Sequence, residues 1–271
     1  MVRLATCLAL LGSLFALIAG RPVTPASPTY ENLNAILWMQ TAVEYQASTT
    51  ETYRDGQRAL LRALGDRTWT AALEQTGKFA NLPPAVVLDL DETVLDNSPF
   101  EARLTASGAP WSRDAWLKWL NEENATIIPG AMDFLQFARD HHVAPVYITN
   151  RACDPTSDAD PTVQQLRKLK LPLATGSDWL LCEQPGAGSD KTVRRTEVAS
   201  HYRILLLFGD QLGDFLTIPK ASANLAGREK LFEDHQAMWG DRWFQLPNPT
   251  YGSWESAMGY TVEAKLPYLR Q

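Results

Sequence analysis

A chain of 271 residues, 45% of them apolar, can bury a large core as one domain carrying elaborations. Nine Trp and nine Phe add aromatic surface, and a formal charge of −6 supplies no basic footprint. That balance argues against a nucleic-acid polymer as partner.

Residues 1–20 read as a secretory signal: Arg3 comes early, an apolar run follows from Leu4 to Ala19, and small residues stand at Ala19-Gly20. A membrane anchor is the alternative, but the run is short for a span. The expectation is export to the periplasm or beyond the cell, with no stable membrane anchor after cleavage. Residues 21–30 form a Pro-rich tether. Residues 31–82 read as helical. Leu33, Ile36, Leu37, Val43 and Ala47 recur at spacings of three and four. A second helix carries Ala59, Leu60, Leu61 and Leu64 with Gly65 at its C-terminal cap, and a third covers Thr70 to Gln75. This section is read as scaffolding packed on the sheet.

Pro83-Pro84 introduces Val86-Val87-Leu88, an apolar run that reads as a strand buried on both faces and ends in Asp89-Leu90-Asp91. Alternation points the two carboxylates roughly the same way, with Leu90 turned inward. Two acids so close repel unless a cation sits between them, which invites a hard metal such as Mg²⁺. A loop then leads to a Trp-rich helix, Ser112 to about Asn121, with Ser112 placed to cap it. Pro129 is placed to start another helix at its first position.

Ala144–Ile148 reads as a second strand, running into Thr149-Asn150-Arg151. Helices are expected from Thr162 to Leu169 and from Asp190 to His201, and a third strand from Ile204 to Phe208, ending in Gly209-Asp210. Strands alternating with helices imply parallel βαβ units: an α/β, Rossmann-type sheet over residues 83–271, with a small helical cap at about 97–128. Parallel strands end on one edge of a sheet. Asp89, Asp91, Thr149 and Asp210 therefore converge there, with Lys191 at a loop-to-helix start.

The order of these residues resembles the haloacid dehalogenase (HAD) superfamily. Val87-Leu88-Asp89-Leu90-Asp91-Glu92-Thr93-Val94-Leu95-Asp96-Asn97-Ser98-Pro99 and Gly209-Asp210-Gln211-Leu212-Gly213-Asp214-Phe215 look like the paired signatures of its class C acid phosphatases, the bacterial lipoprotein 5′-nucleotidase family. Pro129-Gly130-Ala131, Thr149-Asn150-Arg151, Lys191 and the segment from Asn248 to Glu255 extend the likeness, which covers about residues 31 to 262.

The resemblance implies Asp89 as nucleophile and Asp91 as the acid and base that moves protons. It implies Mg²⁺ held by the Asp89 carboxylate, the Asp91 carbonyl and Asp210, with Asp214 in or behind that set. Thr149 and Lys191 would bind phosphoryl oxygens. Asn150 lies near the phosphate, and Arg151 either reaches it or forms an ion pair. The family stacks a nucleobase between aromatic rings; Trp116 and Tyr251 are read as such contacts, and Trp119 and Trp254 as core. Asp96 and Asn97 are read as turn supports, Arg194 and Arg195 as a solvated or salt-bridged helix face, and His141, His142, His201 and His235 as structural. Cleavage removes Cys7. Cys153 and Cys182 could pair in an oxidising compartment, but two cysteines make no framework and are read as free or buried thiols.

Three positions depart from the family pattern: Gln211 replaces an Asn, Phe100 a Tyr, and Arg21 the lipid-bearing Cys. The activity implied is a secreted, Mg²⁺-dependent acid phosphatase acting on a small phosphomonoester, a 5′-nucleotide or an aryl phosphate; a homodimer stays open. A phosphotransferase, a sugar-phosphate phosphatase or a weakly catalytic binding protein are the alternatives. The aromatic cap argues against a sugar-only site, and the intact acid, hydroxyl and lysine positions argue against a mere binder.

Overall fold

The structure, a computed structural model, describes residues 31–173, 179–184, 186 and 188–270; the signal and tether expected over 1–30 lie outside them. Its strands are β1 (Pro84–Leu88), β2 (Leu95–Asp96), β3 (Thr126–Ile127), β4 (Ala144–Ile148), β5 (Leu180–Leu181), β6 (Arg203–Gly209) and β7 (Trp243–Gln245). Five of them form a parallel sheet in the order β5-β4-β1-β6-β7, while β2 and β3 pair antiparallel as a separate ribbon. The sheet is buried on both faces, which is why its strands are continuous apolar runs rather than alternating ones.

β1 is central, and the chain moves to β4 on one side of it before returning to β6 on the other. That reversal opens the crevice at the carboxyl end of β1. Leu88 pairs with Tyr147 on one side and Phe208 on the other, so Asp89, Thr149 and Asp210 leave adjacent strands at nearly one level.

The helices are α1 (Leu33–Thr41), α2 (Val43–Gly65), α3 (Ser98–Ser107), α4 (Arg113–Glu122), α5 (Ala131–Asp140), α6 (Pro161–Lys168), α7 (Thr192–His201), α8 (Leu225–Asp234), α9 (Ser253–Ser256) and α10 (Val262–Lys265). The first two expected helices are redivided. Ala42 is extended (φ −80°, ψ 128°), so α1 stops there and α2 takes up everything from Val43 to Gly65. The buried stripe of α2 includes Tyr53, whose ring stacks on Phe208 of β6 at 5.3 Å and whose hydroxyl donates to the Thr93 carbonyl at 2.6 Å. The scaffold thus reaches the loop that follows β1.

No helix forms over Thr70 to Gln75. The Gln75 side chain accepts from Ile204 N at 2.9 Å and donates to the carbonyls of Ala199 and Tyr202, while Ala71 N bonds Ile204 O. Side chains and backbone that serve β6 are not free to close their own turns. The stretch expected as a loop before the Trp-rich helix is itself helical, α3, with Pro99 in its first turn and Gly108 closing it. α4 is capped as expected by Ser112, which accepts from Ala115 N at 3.2 Å. α5 begins two residues after Pro129, because Gly130 intervenes at φ +92°, a conformation that only glycine adopts cheaply.

Cys153 and Cys182, read from the sequence as thiols, are joined as a disulfide with Cα atoms 5.5 Å apart. The physical reason is topological: β4 and β5 are parallel neighbours, so the loops leaving their carboxyl ends run side by side. Spacing in the sequence does not show that adjacency. The bridge spans 29 residues, and closing a loop of that size in the unfolded chain is worth about 3–4 kcal/mol in the chain-entropy account. The Cys153→Ser, Cys182→Ser double variant should therefore unfold at a lower denaturant midpoint, with a loss of about 3 kcal/mol. An unchanged midpoint would show that the bridge adds no stability.

Candidate active site

Each functional side chain sits just beyond a strand. Asp89 follows β1 and is 8% exposed; Asp210 follows β6, and a single 3₁₀ turn, Leu212–Asp214, brings Asp214 back beside it, each 7% exposed. Carboxylate oxygens of these three acids all lie within 4.8 Å of one another. Lys191, immediately before α7, places its ammonium between two of them, bonded to Asp89 and 2.6 Å from Asp214 Oδ1.

One ammonium against three buried carboxylates leaves negative charge uncompensated. Burial pushes the Asp89 carboxyl up to about 7, Lys191 pulling against it and Asp214 and Asp91 adding to it. Burial, then Asp214 and Asp89, raises Asp210 well above the ordinary carboxylate range. Burial alone would lower the Lys191 ammonium, but Asp214 and Asp89 outweigh it and hold it above the usual lysine value. An oxygen-only donor set short of positive charge fits a hard divalent cation.

Each acid is held by bonds from elsewhere. Asp210 Oδ2 accepts from Gln211 Nε2 and Asn248 Nδ2, both at 2.8 Å, and its carbonyl accepts from Gln245. Asp214 Oδ2 accepts from Gln211 N at 2.8 Å. Gln211, the longer amide that stands where the family pattern has Asn, still reaches the acid beside it.

Asp91 stands apart from this cluster. Arg151 grips it through Nη2 at 2.6 Å and Nε at 3.0 Å, and Asn97 Nδ2 donates to it at 2.8 Å. The Arg151 side chain is fully buried while that of Asp91 remains 18% exposed, so the acid faces the open side. Of the two readings of Arg151, the structure displays the ion pair. Asn97 does more than support a turn: its amide bridges Asp91 to the indole of Trp119, which donates at 2.8 Å from the core position expected of it.

A cavity of about 860 Å³ opens over these groups. Asp89, Asp91, Lys191, Asp210 and Asp214 line it, together with Asn150, Arg151, Trp116 and Tyr251, so nearly all the residues singled out in the sequence meet at one place. Thr149 is fully buried behind that wall, its Oγ1 accepting from Arg151 N at 3.1 Å. Trp116 packs edge-on against Phe100 at 5.2 Å. Tyr251 lines the cavity, but its hydroxyl is committed to the buried carboxylate of Glu92.

Several supporting residues escaped the sequence reading. Glu92, with φ +56°, accepts from Asn97 N at 2.8 Å as well as from Tyr251, and so joins the loop after β1 to the C-terminal segment. Of the two readings of Arg194 and Arg195, the solvated face fails because both are buried, and the salt-bridged one holds for Arg195. Arg194 donates to the carbonyls of Thr149 and Cys182 and to Asn150 Oδ1 at 2.7 Å, bracing the loop after β4. Arg195 pairs with Glu74 at 2.8 Å and donates to Gly213 O at 2.9 Å, bracing the loop after β6. Two consecutive arginines on a helix carried no signal of this. The ring nitrogens of His141 and His235 lie 2.8 Å from carbonyls of their own helices, consistent with a structural role.

Comparison with known proteins agrees with this geometry. Residues 23–254 match the family described as HAD superfamily, subfamily IIIB (Acid phosphatase). Two solved structures of the class C acid phosphatase from Bacillus anthracis are 33% identical and cover 90% of this chain. One superposes with a TM-score of 0.75 over 99% of its own length; the other, with tungstate bound, gives 0.76 over 98%. The chain belongs to subfamily IIIB of the HAD superfamily and is an acid phosphatase, a hydrolase of phosphomonoesters.

Proposed function

We propose that the protein is an exported, Mg²⁺-dependent phosphatase that cleaves 5′-nucleotides and aryl phosphates through a phosphoaspartate on Asp89. The observation that carries this reading is the placement of a buried Asp89 against Lys191 at the floor of a cavity, with Asp91 held open beside it. An Asp89 oxygen attacks phosphorus as the bond to the leaving oxygen breaks, which transfers the phosphoryl group to the carboxylate. Asp91, oriented by Arg151 and Asn97, gives a proton to the leaving oxygen. Asp91 then takes a proton from the water that attacks the phosphoaspartate, releasing inorganic phosphate and restoring both acids.

Lys191 binds phosphoryl oxygens as a point charge, while Thr149, buried behind the cavity wall, supports the loop there by accepting from Arg151 N. Mg²⁺, when held by Asp89, Asp210, Asp214 and the Asp91 carbonyl, supplies positive charge to the transferring phosphoryl group. Asn150 lines the same cavity and is assigned to the phosphate, and the rings of Trp116 and Tyr251 offer a nucleobase flat faces. The apolar N-terminal run with Arg21 at the lipid position supports export without a lipid anchor.

With p-nitrophenyl phosphate as substrate, Asp89→Asn should abolish turnover and the acid-stable transfer of labelled phosphate to protein. Asp91→Asn should cut kcat by about 10²–10⁴-fold, and EDTA should stop the wild type until Mg²⁺ is returned. Turnover that persists in Asp89→Asn or in EDTA would sink the mechanism. Trp116→Ala should raise KM for a 5′-nucleotide about tenfold more than for p-nitrophenyl phosphate, as stacking on one ring contributes ~1–3 kcal/mol. An equal rise for both would refute stacking.

A further test reads pH and metal together. Without metal, Asp89 titrates near 7, above the ~3.9 of an unfolded Asp, so its contribution to stability is full below the unfolded value and is lost as pH rises through about 7. A divalent cation relieves that loss by binding only the folded, ionised cluster. Saturating Mg²⁺ should therefore raise Tm more at pH 8 than at pH 5; an equal gain at both would contradict it.

A further inference from the structure

We infer that the outer half of this cavity selects phosphomonoesters whose leaving group carries a positive charge, an alkylammonium or a cationic ring, and that Glu101 reads that charge. The inference rests on the phosphatase reading and names the substrate class of the same site. Glu101 stands in the first turn of α3, on the cavity wall. It is half-buried and, among the described residues, forms no ion pair. Glu255 shares the wall, but its carboxylate is answered by Lys265 at 2.7 Å. Burial, with Glu255 adding to it, pushes the Glu101 carboxyl up to about 7. Among the described residues no cation answers this carboxyl, and a cationic group brought beside it would favour its ionised form.

The walls around it are aromatic. Trp116 and Phe100 pack together inside, and Trp111 and Tyr260 line the same cavity while 59% and 67% exposed. Ring faces attract a cation that has shed part of its water, and a carboxylate in the same space adds a direct charge pair. An uncharged group of the same shape gains neither, and it desolvates Glu101 without giving it a partner. At the phosphate end Lys191 and Arg151 already face aspartates, and the excess of carboxylates there is one a divalent cation would answer. Glu101 lies apart from that cluster, which leaves its carboxylate to a cationic leaving group.

Phosphocholine and 3,3-dimethylbutyl phosphate, its uncharged carbon isostere, separate charge from shape. With Mg²⁺ present, the wild type should hydrolyse phosphocholine with kcat/KM about tenfold higher, the difference lying mainly in KM. In Glu101→Gln the ratio of the two substrates should fall toward one, and in Glu101→Lys it should invert. A wild-type ratio near one overturns the inference without help from any variant. A ratio that survives in folded Glu101→Gln overturns the assignment to Glu101. If p-nitrophenyl phosphate is inert along with both esters, the phosphatase reading itself fails and the inference falls with it.

Discussion

The ammonium of Lys191, held between Asp89 and Asp214, is the contact on which the rest of the site depends. The cluster gathers three carboxylates where water is excluded, and like charges at such separations repel by several kcal/mol at the dielectric of a protein interior. Without a cation among them these acids would protonate or spread apart. Lys191 offsets one charge of three. It makes the cluster tolerable but not neutral, and the negative charge that remains suits a divalent cation, which would offset it before an anionic phosphoryl group comes near.

Holding such a cluster together requires that its loops not relax, and the fold brings buried guanidinium groups to each of them. Arg195 braces the turn that carries Asp214, Arg194 the loop that carries Thr149 and Asn150, and Arg151 fixes Asp91. Arginine suits this task because its planar fork can satisfy several carbonyls at once and never loses its charge. The disulfide from Cys153 to Cys182 adds a covalent tie to the same loop, since Cys182 offers its carbonyl to Arg194. The crevice at the sheet's edge is therefore walled by loops that are braced rather than merely short.

What was legible in the sequence follows from this division of labour. Strands buried on both faces announce themselves as apolar runs, so β1, β4 and β6 and the acids after them could be read directly. The strand ends converge by topology, which places Thr149 and Asp210 beside Asp89, and Lys191 stands out at a loop-to-helix start. The bracing was not legible because it acts between elements distant in the chain. Arg194 and Arg195 look like any basic pair on a helix until Glu74 and the loop after β4 are folded against them. Thr70 to Gln75 carries a helical pattern, yet Gln75 is claimed by β6. α3 was hidden for the opposite reason: its polar and apolar residues follow no clear stripe, because one side faces the core and another faces the cavity.

Gln211 shows how a departure from a family pattern can be absorbed. Its amide nitrogen donates to Asp210, while its oxygen accepts from Ser253 N at 2.9 Å, so one side chain spans from the carboxylate cluster to the C-terminal segment. The extra methylene, relative to Asn, needs room. Gly252 provides it: a Cβ there would lie 2.4 Å from the Gln211 amide, and the residue's φ of +148° is itself one that side chains disfavour. Tyr251 and Glu255 flank this contact, the first anchored to Glu92 and the second lining the outer cavity. The outer wall of the cavity is thereby tied to the carboxylate cluster at its floor. A displacement of either should be felt by the other, because the long amide is hydrogen-bonded to both.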